Sequence, residues 1–149
     1  MADSTGAIAK IIKNEKGYVN DPADTGGETY NGIARKKNPT WAGWKVIDAM
    51  RPHGAFTNAA FAKVLDANAA LQKAISTFYK SEYWDKVRGD EIKSQAAADS
   101  LSDAAVNMGC HQAILLAQRA LGFKDPKGTV PLDDKTLAAI NNLGEKFKV

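Results

Sequence analysis

The strongest constraint on this chain is the spacing of its apolar residues. They recur at helical rather than alternating intervals, alanine is abundant, and runs of β-branched residues are scarce. That pattern predicts a mainly α fold. Asp3, Ser4 and Thr5 offer capping oxygens for a first helix running to about Lys16, with Ile8, Ile11, Ile12 and Glu15 on one face. Asn20 to Gly32 breaks the pattern with three glycines, a proline and three acidic residues, and reads as a turn-rich loop or short hairpin.

Further helices are predicted around Ile33–Lys37, from Trp41 to Met50, and from Thr57 to Tyr79 as one helix or two. In the last of these, Phe61, Val64, Leu65, Leu71, Ile75, Phe78 and Tyr79 face inward. Ser94 or Asp99 starts the next helix, with a stripe of Leu101, Ala104, Ala105 and Met108 and a stop at Gly109. His111–Leu121 is amphipathic and closed by Gly122. Asp133 or Asp134 caps a final helix over Lys135–Asn142. No repeat or linker interrupts the chain, and 149 residues predict one domain able to bury about two-thirds of its unfolded surface.

Several function classes are excluded by composition. Cys110 is the only cysteine, so neither an internal disulfide nor a cysteine metal cluster can form. His53 and His111 are the only histidines, which argues against a histidine-rich metal site or a Ser–His triad. Twenty Lys and Arg against seventeen Asp and Glu leave a net charge of +3, which suits an anionic polymer but is too small to imply nucleic acid. Ala7 to Lys13 is cut by lysines and lacks the pattern of a secretory signal, and no window approaches the ~18 apolar residues of a membrane span. The expectation is a protein made in a cytoplasm, without stable membrane insertion.

The chemistry concentrates between Glu15 and Thr29. Glu15 follows Ile11 and Ile12 by four and three residues, so it projects from the edge of the buried helical face. Partial desolvation there favours the neutral carboxylic acid, the form needed to protonate a glycosidic oxygen. Asp24 stands in a loop that must double back, and a neutral acid facing an ionised carboxylate is the pair that glycoside hydrolysis requires. For Asp21 and Glu28, turn formation is the competing account. The spacing lacks the glycine and terminal glutamate of an EF-hand calcium loop.

The run Glu15-Lys16-Gly17-Tyr18-Val19-Asn20-Asp21-Pro22-Ala23-Asp24, followed by Gly26-Gly27-Glu28-Thr29 and Gly32-Ile33, resembles the signature of glycoside hydrolase family 108. These are lysozyme-like N-acetylmuramidases found among phage endolysins and secretion activator proteins. Tyr79, Tyr83-Trp84-Asp85, Ala105-Val106-Asn107-Met108-Gly109 and Ala117-Gln118-Arg119-Ala120-Leu121-Gly122 agree with it, and the tail is similar to a peptidoglycan-binding segment. Lys16 stands where members commonly have glycine, and Tyr30-Asn31 displace the aromatic that usually precedes Gly-Ile.

The resemblance implies a lysozyme-like domain over 1–149, with a catalytic part over 1–90 and a helical, peptidoglycan-binding-like part over 91–149 packed on it. It implies Glu15 as catalytic acid. The spacing to Asp24 and Thr29 also resembles the glutamate–aspartate–threonine arrangement of phage-type lysozymes, with one fewer residue before the threonine. By that analogy Asp24 stabilises positive charge on the sugar or orients water with Thr29, and Asp21 is its rival. Tyr30, Asn31, Tyr83, Trp84 and Asn107 are candidate substrate contacts; for Tyr83 and Trp84 interior packing is the alternative, and for Asn107 support between helices. Trp41 and Trp44 read as packing, Arg35-Lys36-Lys37 as a solvated basic run, and Cys110 as a small hydrophobe. The implied partner is bacterial peptidoglycan, met by a monomer without metal or cofactor. Holin-dependent release would bring a phage-encoded protein to the periplasm or wall.

Overall fold

The computed structural model describes all residues, 1–149. It is mainly α, with seven α-helices and one small antiparallel sheet. The chain forms two compact units, residues 12–78 and residues 1–11 together with 79–149. The division falls at 11/12 and 78/79. The start of the chain belongs with its end because Ala2 and Ala7 lie in the same apolar cluster as Leu101, Ile114 and Phe147. No helix is long and apolar enough to cross a membrane.

Helix α1 (Ser4–Glu15) begins where Asp3 Oδ1 accepts the Thr5 N–H at 2.9 Å, and it buries Ala7, Ile8 and Ile11. The 12–78 unit takes up the last turn of α1 and continues through strands β1 (Tyr18–Val19), β2 (Thr29–Tyr30) and β3 (Ile33–Ala34), paired antiparallel in the order β1-β2-β3. Tyr18 faces Tyr30, and Tyr30 faces Ile33.

The helix expected over Ile33–Lys37 is instead β3 followed by a turn over residues 35–37. Asn31 and Gly32 both take positive φ, 46° and 84°, and reverse the chain in two residues. An Asn-Gly pair with left-handed backbone is the hairpin turn whose twist matches the flanking strands, and it commits the next residues to the ladder.

Helices α2 (Gly43–Met50), α3 (Asn58–Asp66) and α4 (Ala69–Tyr79) follow. The long helical pattern after Thr57 is two helices. Thr57 caps α3 by accepting the Ala60 N–H at 3.1 Å, and Asn68 Oδ1 accepts the Leu71 N–H at 2.9 Å at the start of α4. Phe61, Leu65, Leu71 and Ile75 are buried, each worth about 1.5–3 kcal/mol of transfer free energy. Val64, expected inside, is 48% exposed, because the Phe61–Leu65 row already supplies the buried face of this short helix. Trp41 packs edge-on against Trp44 and Phe78, as packing residues do.

In the other unit, a π-helical turn over Lys80–Trp84 follows α4 and a 3₁₀ turn covers Gly89–Glu91. Helix α5 (Gln95–Met108), capped by Ser94, packs on α6 (Cys110–Ala120), and α7 (Asp134–Leu143) is capped by Asp133. The core gathers Trp84, Val87, Leu101, Ala105, Ile114, Ala117, Ile140 and Phe147. Met108, expected in the buried stripe, sits in the last turn of α5 and is largely exposed. Buried Gln118 secures the irregular stretch after α6, accepting the Gly128 N–H at 2.8 Å and donating to Thr136 Oγ1 at 3.0 Å. Cys110 is half-buried, and burial pushes its thiol up from the ordinary value, as suits a small apolar filler.

Candidate active site

Glu15 is the last residue of α1 and is partly exposed, neither sealed in the core nor free in solvent. It enters none of the molecule's ion pairs or side-chain hydrogen bonds. The chain leaves the helix through Gly17, whose φ of 130° is open only to glycine without strain, and starts β1 at Tyr18. Thr29, half-buried, stands opposite Val19 in the ladder. The same compact unit thus holds Glu15, the β1–β2 loop and Thr29.

Both aspartates of that loop make local turns. Asp21 Oδ1 accepts the Ala23 N–H at 3.0 Å, and Asp24 Oδ1 accepts the Gly26 N–H at 2.9 Å. Each carboxylate keeps its other oxygen free of such a bond and lies exposed, so turn formation and chemistry are compatible here. Lys36 clasps the loop from outside, donating to the Thr25 carbonyl and lying over Gly27. It is therefore more than a solvated charge.

Glu28 is built quite differently from Glu15. Its carboxylate is only 9% exposed and accepts hydrogen bonds from the Tyr18 hydroxyl at 2.5 Å, Arg35 Nη1 at 2.8 Å and Arg51 Nη2 at 2.7 Å. Burial pushes this carboxyl toward the neutral form, but the three donors and the Arg51 charge outweigh it and hold its pKa below the ordinary value. Asp48 closes the cluster by bridging both guanidinium groups, and its pKa falls to about 2, chiefly through the Arg35 hydrogen bonds. Arg35 also lies over the Trp44 ring and Arg51 over Phe61. Glu28 is thus an ionised structural carboxylate that joins the sheet to α2. Sequence reading missed the network because the partners of Glu28 lie 7 to 23 residues from it and no local pattern links them.

Among the expected substrate contacts, Tyr30 is fully buried, donating to Asp66 Oδ1 at 2.6 Å and accepting from Gln72 Nε2 at 3.1 Å. Asn31 is 1% exposed and is occupied by Gly17. Neither has a face to offer a sugar. Their apolar or backbone-turn duties in the hairpin take them inward. In the other unit, Trp84 is 1% exposed and donates to Asp90 Oδ1 at 2.8 Å, so it is a core residue. Tyr83 is half-buried and stacks on Tyr79. Asn107 is exposed on α5, beside Asp103 and Met108, and not a buried amide between helices.

A mainly helical chain whose first helix ends in a free glutamate, followed at once by a small antiparallel sheet, has the architecture of the lysozyme-like glycosidases. The family model for Glycosyl hydrolase 108 matches residues 8–109. The chain belongs to that family, and is a glycoside hydrolase that degrades peptidoglycan. Among solved structures it is similar to Brucella abortus SagA, with 26% identity over 94% of this chain and 71% of that one, at a TM-score of 0.57. No curated protein sequence matches it.

Proposed function

We propose that the enzyme is an N-acetylmuramidase, hydrolysing the β-1,4 bond between N-acetylmuramic acid and N-acetylglucosamine. The observation that carries this reading is the contrast between the two glutamates of the 12–78 unit. Glu28 is saturated by two arginines and a tyrosine, whereas Glu15 is partly desolvated and unpaired. Of the two, only Glu15 is at liberty to carry a proton to a leaving oxygen. Asp24 serves the opposite face of the sugar ring through its unbonded oxygen, stabilising developing positive charge or orienting water with Thr29; Asp21 is the residue to test against it.

Charge supports the substrate assignment. Residues 12–78 contain nine Lys and Arg against six Asp and Glu, whereas the rest of the chain has eleven of each. The whole excess of +3 therefore sits on the unit bearing Glu15, where it attracts a polymer whose stem peptides end in carboxylates. Residues 91–149, of which 110–149 lie beyond the family match, are assigned to wall binding only by their sequence resemblance. The same resemblance supports a monomeric phage endolysin that reaches the wall after holin-dependent release.

Turbidity clearing of purified Gram-negative wall by wild type and Glu15→Gln tests the reading. The variant is nearly isosteric but has no dissociable proton to give, and it is expected to lose clearing by at least about 100-fold, the low end of general acid contributions, while still binding wall. Full clearing by Glu15→Gln removes that residue from the mechanism. Mass spectrometry of the products is expected to show addition of water at each cleavage; anhydro-muramic ends would make the enzyme a lytic transglycosylase instead.

A further inference from the structure

A side chain on the final residue of a helix is only as well placed as the backbone that follows it, since helix ends lack four carbonyl partners and fray. Glu15 is such a residue, yet the chain beyond it is held at both of the next two positions. The Gly17 N–H donates to Asn31 Oδ1 at 2.8 Å, and the Asn31 N–H donates back to the Gly17 carbonyl at 2.8 Å. Lys16 Nζ lies 3.9 Å from Asp66 Oδ2, and the other oxygen of that carboxylate accepts the Tyr30 hydroxyl at 2.6 Å. The Asn31 side chain also acts on that hydroxyl. A cluster built on the buried Tyr30 and Asn31 thus reaches Gly17 directly and Lys16 through the partly exposed Asp66.

The identity of residue 31 is informative. Its φ of 46° and its place in the turn would suit glycine at least as well, as the neighbouring Gly32 shows. What asparagine adds is a buried amide oxygen aimed at the Gly17 N–H, a bond that glycine cannot make. A turn residue that served the hairpin alone would have no need of it. The geometry points to Asn31 as a positioning residue for Glu15, acting through Gly17 and steadied from behind by Tyr30 and Asp66. This rests on the reading of Glu15 as the general acid. It replaces a sugar-binding role for Asn31 and Tyr30 with a role in aiming the proton donor.

The test is a cycle of full-length variants assayed on soluble uncrosslinked glycan strands by release of reducing ends, with thermal melts of each. Asn31→Gly keeps the left-handed backbone and the bond from residue 31 N–H to Gly17, but removes the side-chain acceptor. It is expected to lower kcat by about 10- to 100-fold, as a misplacement near 1 Å does, with KM changed less than about 2-fold. Asn31→Asp keeps an oxygen within reach of Gly17 and is expected to recover kcat to within about 3-fold of wild type. In a Glu15→Gln background, Asn31→Gly should change the residual turnover by less than about 2-fold, because nothing remains to be aimed.

An unchanged kcat in Asn31→Gly, or an equal loss in both backgrounds, overturns the positioning role while leaving Glu15 as the acid. Full activity in Glu15→Gln overturns both. If Asn31→Gly does not fold, amide exchange in the wild type decides: a protected Gly17 N–H together with an active Asn31→Asp supports the assignment, and an unprotected one refutes it.

Discussion

Replacing Glu28 by glutamine isolates the charge at the centre of the polar cluster that joins the sheet to α2. The carboxylate is 9% exposed and accepts three hydrogen bonds, two of them from arginines. A hydrogen bond to a charged partner contributes about 1.5–3 kcal/mol against about 0.5–1.5 kcal/mol for a neutral one, so loss of charge costs roughly 1 kcal/mol for each arginine. The new amide also turns an N–H toward a donor at one of its ends, adding about 1–3 kcal/mol. Against this, the variant no longer buries a charge, and both arginines keep Asp48. The balance is a destabilisation of about 2–3 kcal/mol at neutral pH, or a fall in Tm of roughly 5–10 °C for a chain of this size. Thermal or urea unfolding measures it.

The pH dependence gives an independent check. Glu28 titrates in the folded protein below its usual 4.5, and Asp48 at about 2 instead of 3.8. A depressed carboxylate contributes stability that is present above its unfolded pKa and lost as pH falls through the folded one. The gap between wild type and Glu28→Gln should therefore be full above pH ~5 and shrink steadily as acid neutralises Glu28 in the wild type. A gap under about 0.5 kcal/mol at neutral pH, or one unaffected by acid, would show that the arginines and Asp48 hold this region without Glu28.

Two further outcomes follow from the geometry. A Cβ on Gly89 would stand 2.2 Å from Cε2 of the buried Trp84 ring, so Gly89→Ala is expected to destabilise by about 2–3 kcal/mol in chemical denaturation, whereas Gly6→Ala, with open space around it, should be neutral or slightly stabilising. Because the charge excess lies on residues 12–78, wall clearing should slow as salt rises from about 0.05 to 0.5 M, through weaker binding and not through kcat on short soluble glycans. A rate indifferent to salt would detach substrate capture from this charge.

The elements most legible from sequence were those set by local rules. Thr57, Ser94 and Asp133 each cap the helix that their side chains announce, and Gly109 ends α5. The offset of Glu15 from Ile11 and Ile12 places it at the margin of a buried face, and it stands partly exposed at the end of α1. Asn31-Gly32 was equally local, a two-residue hairpin signal, but the apolar spacing around Ile33 suggested a helix and obscured it.

What the sequence by itself determined is therefore the helical class, most helix boundaries and the place of Glu15 at the end of the first helix, because propensity, capping and amphipathic spacing act within a few residues. Only the tertiary structure decided which polar groups are tools and which are fastenings. Glu28 meets Arg51 across 23 residues, Tyr30 meets Asp66 across 36, and Asn31 reaches back 14 to Gly17. A buried carboxylate or amide takes its role from the partners that folding brings to it, and those partners are chosen by packing rather than by proximity along the chain.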